Sequence, residues 1–287
     1  MKFSFIDVHV GLPLEGPFTY KIPESAIVQP GMRVRVNFNN KKLIGYIQSV
    51  HDNEPKEFEA KEILDVLDAE PIYDQRLIDL VEYVSYSYIS TKGEAYQLAL
   101  PSGERPSSRY KIPFDSDSIE PSPLSEEQQN IFNDIVSQHN QGAMAHLIFG
   151  VTGSGKTEIY IHLAKKITSE GKSVIFLVPE ISLSSQIFER LYALFGDEMI
   201  LYHSHLTANQ RLYNWNRFLK GEAKIAVGTR SAIFLQCPDL GMIIFDEEHD
   251  GSYKENSTPR YNAKRLGFYR SRNEQAMLLF GSATPSV

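Results

Sequence analysis

The sequence predicts an α/β protein in which a parallel sheet flanked by helices follows a smaller β-rich domain. Three observations support this prediction. Apolar and polar residues alternate early in the chain, short apolar runs alternate with helical segments later, and a stretch with five prolines and six serines separates the two parts. We therefore divide the chain into a β-rich domain (1–100), a linker (101–123) and an α/β lobe (124–287).

The composition is typical of a folded protein without a membrane segment. The chain has 287 residues, 42% of them hydrophobic, and a formal net charge of −7. That charge gives no overall attraction to nucleic acid, so nucleic-acid binding must use local basic patches. The single cysteine, Cys237, excludes an internal disulfide and a cysteine-cluster zinc site within these residues. Neither a signal-peptide core nor an apolar run of ~20 residues is evident, so we expect a soluble cytoplasmic protein.

In the β-rich domain, the clearest element is a hairpin. Apolar and polar residues alternate over residues 32–38, and Asn39-Asn40 then marks a turn into a second strand. The first strand carries Arg33 and Arg35. These arginines fit a solvated strand face almost as well as a phosphate contact.

A helix of about four turns follows in the same domain. Apolar residues recur at helical spacing over residues 77–88, after Asp74, which is a candidate N-cap. Its tyrosines, Tyr83, Tyr86 and Tyr88, could stack on bases, but a place in the core or at its rim fits the pattern better.

The α/β lobe is predicted from five short apolar runs with helical segments between them. That alternation is typical of a parallel sheet wrapped by helices. The runs are AHLIF (145–149), SVIFLV (173–178), KIAV (224–227), MIIF (242–245) and AMLLF (276–280).

The most specific motif is FGVTGSGKT, residues 149–157, which lies between the first run and a helical segment. A loop of this glycine spacing cradles phosphates with its backbone N–H groups at a helix N-terminus. Its Lys156 is expected to reach the β- and γ-phosphates, and the Thr157 hydroxyl to ligate Mg²⁺. A glycine loop that only turns the chain is the competing interpretation. The predicted nucleotide-binding residues here are Gly150, Thr152, Gly153, Ser154, Gly155, Lys156 and Thr157.

A second motif, MIIFDEEH, is an apolar run that ends in three carboxylates and a histidine. Ligands of parallel sheets bind outside the carboxyl ends of the strands, so we expect these acids to face the phosphates. Asp246 would hold Mg²⁺ through water, Glu247 would orient and deprotonate the attacking water, and His249 would sense the γ-phosphate. Glu248 fits a structural ion pair equally well. An acidic strand end that meets solvent is the alternative for the whole motif.

Four other segments place polar groups after apolar runs. They are PEISL (179–183), HSHLT (203–207), GTRSA (228–232), with Arg230, and GSATPS (281–286). So many polar strand ends favour an enzyme that follows a nucleic-acid backbone over a kinase or GTPase.

Cations and aromatic residues interleave directly after the acidic motif, over residues 253–272. Bases stack on aromatic rings and cations follow phosphates, so this segment predicts a single-strand contact. We expect Phe268 and Tyr269, on a predicted helix, to lie in the core. The predicted DNA contacts in the preceding loop are Tyr253, Lys254, Arg260 and Tyr261.

The motifs GVTGSGKTE, LVPEISL, HSHL, VGTRSAIF, DEEHDGSYK, PRYNAKRL and GSATPS resemble those of the PriA family of bacterial primosomal replication-restart DNA helicases, superfamily 2 DExH enzymes. The resemblance covers nearly all of the chain. It implies a RecA-like helicase lobe behind a small DNA-binding domain, and ATP-dependent 3′-to-5′ unwinding at stalled forks and D-loops with reloading of the replicative helicase. It also implies ATP and Mg²⁺ as cofactors. The implied partners are forked and single-stranded DNA with a 3′ end, single-strand-binding protein and other primosome proteins, without a membrane.

Further site residues are implied by this resemblance alone. Gln128, in LSEEQ, matches the family's adenine-reading residue. In PFTYKIP, Phe18, Thr19 and Tyr20 match the pocket for a 3′-terminal nucleotide, and Lys61 matches its basic position.

The sequence departs from the family pattern in several places. Thr19 stands where a carboxylate is common, and Asn39 where a glycine is expected. The family's winged-helix domain, second helicase lobe and zinc-binding cysteines are not in these residues, so Zn²⁺ is expected only in the missing C-terminal part. The resemblance places an arginine finger on that second lobe, and such a finger raises the rate of ATP hydrolysis by a factor of about 10³ to 10⁵. We therefore expect the chain alone to bind its ligands but to hydrolyse ATP very slowly. The alternative function is a non-motor, nucleotide-switched module that binds forks or 3′ ends. A P-loop kinase fits least well.

Overall fold

The computed structural model describes residues 4–104, 119–151, 153–179 and 186–285. The chain divides into two compact units, Met1–Pro106 with Ser257–Arg260, and Ser107–Asn256 with Tyr261–Val287. The main boundary falls inside the predicted linker, of which residues 105–118 lie outside the described residues.

The end of the predicted linker belongs to the second unit. The Ile119 N–H donates to the Ala193 carbonyl (3.2 Å), and the Ser122 carbonyl lies 2.9 Å from His162 Nε2. Two hydrogen bonds therefore anchor residues 119–123 to the second unit, although most of these residues are exposed.

The first unit is an antiparallel sheet with two helices. Its strand order is β2-β1-β4-β3-β5. Its core is made of the apolar residues of these strands, with Ile6, Val34 and Ile47 fully buried. The elements are β1 (Phe5–Val10), β2 (Phe18–Lys21), β3 (Arg33–Phe38), β4 (Lys41–His51), β5 (Asp65–Val66), α1 (Gln75–Tyr88) and α2 (Lys92–Ala99).

The predicted hairpin is confirmed as β3 and β4. Phe38 pairs with Lys41, so that Asn39 and Asn40 form a two-residue turn. Both have a positive φ, 46° and 63°. Two residues of this conformation make the turn whose twist matches the strands, and asparagine tolerates it better than other residues with a side chain.

The predicted helix is confirmed as α1. The Asp74 side chain accepts from the Arg76 N–H and caps its first turn. Tyr86 is 89% exposed and so has no core role, whereas Tyr83 and Tyr88 are half-buried. The buried face consists of Leu77, Leu80, Val81 and Val84.

The second unit is a parallel six-stranded sheet with helices, as the sequence predicts. The strand order is β6-β11-β10-β7-β9-β8, and every pairing is parallel. All of these strands except β8 coincide with the five predicted apolar runs. The strands are β6 (Ala145–Phe149), β7 (Ser173–Leu177), β8 (Met199–Tyr202), β9 (Ile225–Gly228), β10 (Leu240–Phe245) and β11 (Met277–Ser282). The helices are α3 (Glu126–Asn140), α4 (Lys156–Ser169), α5 (Gln186–Phe195), α6 (Ala208–Leu219) and α7 (Ala263–Glu274).

The pairing register aligns the carboxyl ends of the strands at one edge of this sheet. Phe245 pairs with both Leu177 and Phe280, and Leu177 also pairs with Gly228. The residues that follow β7, β9, β10 and β11 therefore meet at the same edge. Among the described helices, none has the length and apolar composition to cross a membrane.

Candidate functional site

The glycine-rich loop connects β6 to α4 at this edge. Gly153 and Gly155 have φ values of 82° and 81°, a left-handed conformation that favours glycine. Gly155 is the N-cap of α4 and makes no side-chain capping bond, so the first turn of α4 presents its N–H groups at the loop. Thr152, a predicted phosphate ligand, lies outside the described residues.

Lys156 folds back across this loop. Its side chain is buried, and Nζ donates to the carbonyls of Gly150 (2.7 Å) and Val151 (3.3 Å). The same Nζ lies 3.8 Å from Glu247 Oε1. The structure therefore brings the loop lysine and the acidic motif together.

The acidic motif starts where β10 ends. The Asp246 N–H donates to the Leu177 carbonyl (3.0 Å), which fixes the backbone beside β7. Burial, and secondarily the charge of Glu247, raises the pKa of the Asp246 carboxyl. A cation bound there would favour its charged form.

Glu247 has a φ of 43°, in the left-handed region. This conformation is uncommon for a residue with a side chain, and such residues are concentrated at functional sites. The turn directs the Glu247 carboxylate toward Lys156, at 3.8 Å, and toward His249 Nδ1, at 3.6 Å.

His249 and Glu248 have different surroundings. His249 Nδ1 shares a hydrogen bond with Ser282 Oγ (2.8 Å), which connects the acidic motif to GSATPS. Glu248 is buried and pairs with Lys264 (2.8 Å) on α7. Of the two interpretations that the sequence allowed for Glu248, the structure therefore favours a structural ion pair.

Gln128 lies beside the glycine-rich loop. Its Nε2 donates to the Gly155 carbonyl (3.3 Å), and its Oε1 accepts from the Ser125 N–H (2.8 Å) in the capping box of α3. A Cβ at Gly155 would approach Gln128 Nε2 to 2.2 Å, so a side chain there would displace the Gln128 amide, and the φ of 81° also favours glycine. The predicted adenine-reading residue is thus adjacent to the phosphate loop, and its amide is engaged by the protein.

Other predicted polar strand ends also lie at this edge. GTRSA begins with the last residue of β9, HSHLT follows β8, and GSATPS begins within β11. Most of PEISL, residues 180–183, and Ser286 lie outside the described residues. In the described part of the chain, no three His, Cys, Asp or Glu side chains are grouped so as to hold a metal ion.

The structure corrects the assignment of Tyr253 and Tyr261 as surfaces for base stacking. Each is only 1% exposed. The Tyr253 hydroxyl donates to the carbonyls of Leu177 and Asp246, and the Tyr261 ring packs edge-on against Phe234, with 5.1 Å between centroids. Both rings therefore belong to the core of the lobe: the Tyr253 hydroxyl is hydrogen-bonded there, and the Tyr261 ring packs there.

In the second unit, the cations predicted to contact DNA divide into two that are exposed and one that is partly buried. Lys254 and Arg260 are exposed. Arg230 pairs with Glu255 (3.0 Å) and donates to the Ser252 carbonyl (3.1 Å), so its guanidinium holds the loop in place.

On α7 the structure also differs from the sequence analysis. Phe268, expected in the core, is 53% exposed, and Tyr269 is half-buried. Arg270 is buried, pairs with Glu274 (2.6 Å) and donates to the carbonyls of Ile233 and Leu235.

In the first unit, the residues predicted to receive a 3′ end line one pocket of about 350 Å³. Phe18 packs edge-on against Phe38, with 4.8 Å between centroids. Tyr20 is mostly buried, and its hydroxyl donates to the Asn37 carbonyl (3.2 Å). The lining consists of Pro17, Phe18, Thr19, Tyr20, Asn37, Phe38, Asn39, Phe58, Glu59 and Lys61.

A carboxylate that the sequence analysis did not identify lies next to this pocket. Thr19 Oγ1 donates to Asp7 Oδ1 (2.7 Å), and Ser49 Oγ donates to Asp7 Oδ2 (3.0 Å). Burial would raise the pKa of Asp7, but hydrogen bonds from Thr19, His51 and Ser49 together lower it. By the family resemblance, Thr19 stands where a carboxylate is common. In this chain the Thr19 hydroxyl donates to a carboxylate on the neighbouring strand, that of Asp7.

The two hairpin arginines have different surroundings, and one of them is buried. Arg33 is fully buried and forms a bidentate pair with Asp68. Arg35 is partly exposed and pairs with Glu104. Asp68 could not be assigned from the sequence, because its partner is 35 residues away.

Comparison with known families identifies both units. Residues 7–101 match the family model of the PriA 3′DNA-binding domain. Residues 125–287, more than half of the chain, match the DEAD/DEAH box helicase model. The chain belongs to the DEAD/DEAH box helicase family. The resemblance inferred from the motifs and the predicted fold class are thereby confirmed.

Curated relatives of this DEAD/DEAH box helicase are replication restart proteins named PriA. The chain is 34% identical over 292 residues to that of Treponema pallidum (strain Nichols), with 99% of this chain and 44% of the relative covered. It is 35% identical over 276 residues to that of Rickettsia conorii, with 94% and 41% covered. It is 31% identical over 361 residues to that of Haemophilus influenzae, with 99% and 50% covered. The chain thus spans about half the length of these relatives, or less.

Solved helicase structures are more distant neighbours. The Pyrococcus furiosus Hef helicase domain has a TM-score of 0.44 and 24% identity, with 56% of this chain and 33% of that chain covered. The UvsW helicase from bacteriophage T4 has a TM-score of 0.39 and 16% identity, with 60% and 57% covered.

Proposed function

We propose that this chain is the 3′-end DNA-binding domain and first motor lobe of an ATP-dependent, 3′-to-5′ DNA helicase of replication restart. It would recognise stalled forks and D-loops and promote reloading of the replicative helicase. The observation that carries the proposal is the 3.8 Å approach of Lys156 to Glu247, next to Asp246 at the end of β10. ATP hydrolysis needs a cation for the phosphates and a carboxylate for the water around one triphosphate.

The residues at this edge fit ATP with Mg²⁺. The loop N–H groups and the Lys156 ammonium would hold the β- and γ-phosphates, and Thr157 with Asp246 would hold the metal ion, in part through water. Mg²⁺ often takes one or two protein ligands together with phosphate oxygens, so a site without three clustered carboxylates suits it. When bound, the ion would neutralise charge on the phosphates. Glu247 would orient the attacking water and accept its proton, and His249 would contact the γ-phosphate.

On the DNA side, the exposed cations of the loop take the phosphate contacts. Lys254 and Arg260 are the proposed contacts, since both are exposed. Arg230 would act by holding the loop through Glu255, since its guanidinium is engaged there.

The pocket of the first unit is proposed to receive a 3′-terminal nucleotide. An aromatic wall from Phe18 and Phe38 suits a base, and Lys61 at the rim suits a phosphate. From the resemblance, protein partners would be single-strand-binding protein and other primosome proteins.

The motor assignment is tested with Lys156→Ala in the intact protein. We expect loss of ATP-dependent unwinding of a forked duplex, with fork binding largely unchanged. Lys166→Ala is the matched control, because Lys166 lies on the same helix and forms an ion pair with Glu170 at the surface. Equal loss of binding and unwinding in Lys156→Ala would contradict the assigned role. If DNA did not stimulate phosphate release by the intact protein, the nucleotide-switched binding module would be the better account.

The pocket assignment is tested by fluorescence anisotropy with DNA that ends in a free or a phosphorylated 3′ terminus. Lys61→Ala and Phe18→Ala should reduce the affinity for the free 3′ end. Lys56→Ala is the control, because Lys56 is an exposed lysine outside the pocket lining. Equal affinity of the wild type for both termini would contradict a pocket for the 3′ end.

The activity of the chain by itself is a separate proposal. We expect residues 1–287 to bind nucleotide and DNA but to hydrolyse ATP slowly. The resemblance places the arginine finger on the second helicase lobe, which is not in these residues, and such a finger contributes a factor of about 10³ to 10⁵ to the rate of hydrolysis. Unwinding of a fork by residues 1–287 at the rate of a complete helicase would refute it.

A further inference from the structure

Tyr160 is a buried polar residue at the nucleotide edge that the proposed mechanism does not use. It lies on α4, one turn beyond Lys156, so that both side chains are on the same side of the helix. The side chain is fully buried, and its ring packs edge-on against Phe176 of β7, with 5.8 Å between centroids. The ring belongs to the core, but the hydroxyl is directed toward the site.

The Tyr160 hydroxyl lies between two catalytic segments. The Asp246 carboxylate is the acid that faces it. On the other side it is pressed against Gly281 of β11, where a Cβ would approach the hydroxyl oxygen to 1.5 Å. Gly281 therefore leaves the space that the hydroxyl occupies. The next residue, Ser282, shares a hydrogen bond with His249.

Within the described residues, the Tyr160 hydroxyl has no hydrogen-bond partner of good geometry. Leaving a buried hydroxyl unpaired costs about 1–3 kcal/mol, so a phenylalanine would be the better residue if only packing mattered. The facing Asp246 carboxylate is the acceptor that can supply this hydrogen bond.

We propose that Tyr160 is a positioning residue for the divalent-cation site, whose hydroxyl donates to the Asp246 carboxylate and fixes it facing the bound cation. This inference rests on the proposed ATPase function. A phenol suits the task because it is neutral. A lysine or arginine in its place would hold the carboxylate but would also compete electrostatically with the cation. With an ordinary pKa of about 10, a tyrosine hydroxyl is protonated near neutral pH and can donate.

The test is binding of a fluorescent ATP analogue to the chain, in EDTA and across a Mg²⁺ series. For Tyr160→Phe we expect unchanged affinity in EDTA and a rise of about 10- to 150-fold in the Mg²⁺ concentration at half-maximal effect, as for the loss of one hydrogen bond to a charged group. The control is Tyr192→Phe, which removes a hydroxyl from a partly buried ring on the same core. This control should leave both affinities unchanged.

A double-mutant cycle with Asp246→Asn separates positioning from packing. If Tyr160 acts through Asp246, Tyr160→Phe should have no further effect on the Mg²⁺ dependence in the Asp246→Asn background. An unchanged Mg²⁺ midpoint in Tyr160→Phe, or equal losses in EDTA and in Mg²⁺, would overturn the inference.

A third variant, Gly281→Ala, approaches the same contact from the other side. Its methyl group should displace the hydroxyl and reproduce the Mg²⁺ effect, and a Gly281→Ala variant that keeps the wild-type Mg²⁺ midpoint would also count against the inference. A wild-type chain that binds no nucleotide would instead refute the proposed function itself.

Discussion

The buried pair of Arg33 and Asp68 allows a prediction of stability for the first unit. Asp68 accepts from the Arg33 backbone N–H (2.8 Å), from Nε (3.0 Å) and from Nη2 (2.7 Å). The guanidinium also donates to the Pro101 carbonyl. Both side chains are almost fully buried. Asp68→Ala would remove the only carboxylate that pairs with this guanidinium among the described residues, and breaking such a pair costs about 3–5 kcal/mol.

The magnitude is large compared with the stability of the whole unit. Single domains are stable by about 5–15 kcal/mol, so the variant would lose a large fraction of that. Since 1.4 kcal/mol corresponds to a factor of ten, amide exchange of β3 and β4 through global opening should accelerate by about 140- to 3,700-fold. Hydrogen exchange read by mass spectrometry measures this directly.

Two controls belong to the same experiment. Glu104→Ala breaks the partly exposed pair with Arg35 and should cost under about 1 kcal/mol. The single tryptophan, Trp215, lies in the second unit, so its fluorescence reports unfolding there. The double variant Arg33→Met with Asp68→Leu should recover much of the loss, because replacing both members of a buried pair is often neutral. If Asp68→Ala cost no more than Glu104→Ala, the buried pair would not be the stabilising contact that its geometry indicates.

Three further predictions concern the two sites. Burial raises the pKa of Asp246, so Asp246→Asn should raise the melting temperature near neutral pH, a gain that disappears as pH falls through that pKa, while Mg²⁺-dependent nucleotide binding becomes weaker but stays measurable. The pKa of Asp7 is lowered despite burial, by hydrogen bonds led by that of Thr19, so its carboxylate stabilises the fold above about pH 4 and this contribution is lost at lower pH. Urea titrations at pH 6 and pH 3 should therefore show a destabilising effect of Asp7→Asn that is larger at pH 6 than at pH 3. Finally, Tyr253→Phe should leave single-stranded DNA affinity within about twofold and cost about 1 kcal/mol of stability, whereas Lys254→Ala should weaken DNA binding in a salt-dependent way.

The sequence predicted features that depend on neighbours in the chain. The hairpin turn at Asn39-Asn40, the Asp74 cap and the glycine-rich loop each follow from a few consecutive residues, and the structure contains all three. The acids that follow β10 could be predicted to lie near Lys156, because the carboxyl ends of parallel strands meet at one edge of the sheet.

Features that depend on distant partners were missed. An arginine on an alternating strand fits solvent, phosphate or a buried carboxylate, and only the fold brings Asp68 to Arg33. Tyr253 and Tyr261 were misassigned because the same aromatic ring suits base stacking and core packing. Tyr160 carried a signal that went unused, namely its position one helical turn after Lys156.

The burial of Tyr253 changes how the loop after the acidic motif can affect the nucleotide edge. Its hydroxyl donates to the Asp246 and Leu177 carbonyls, and its neighbour in sequence is the exposed Lys254. Arg230 holds the same loop through the Ser252 carbonyl. A DNA strand that moved Lys254 would have to break these hydrogen bonds or carry the Asp246 backbone with it. Bases stacked on exposed rings would leave Asp246 in place, so the buried tyrosine is the more direct link between the proposed DNA contact at Lys254 and the proposed cation site.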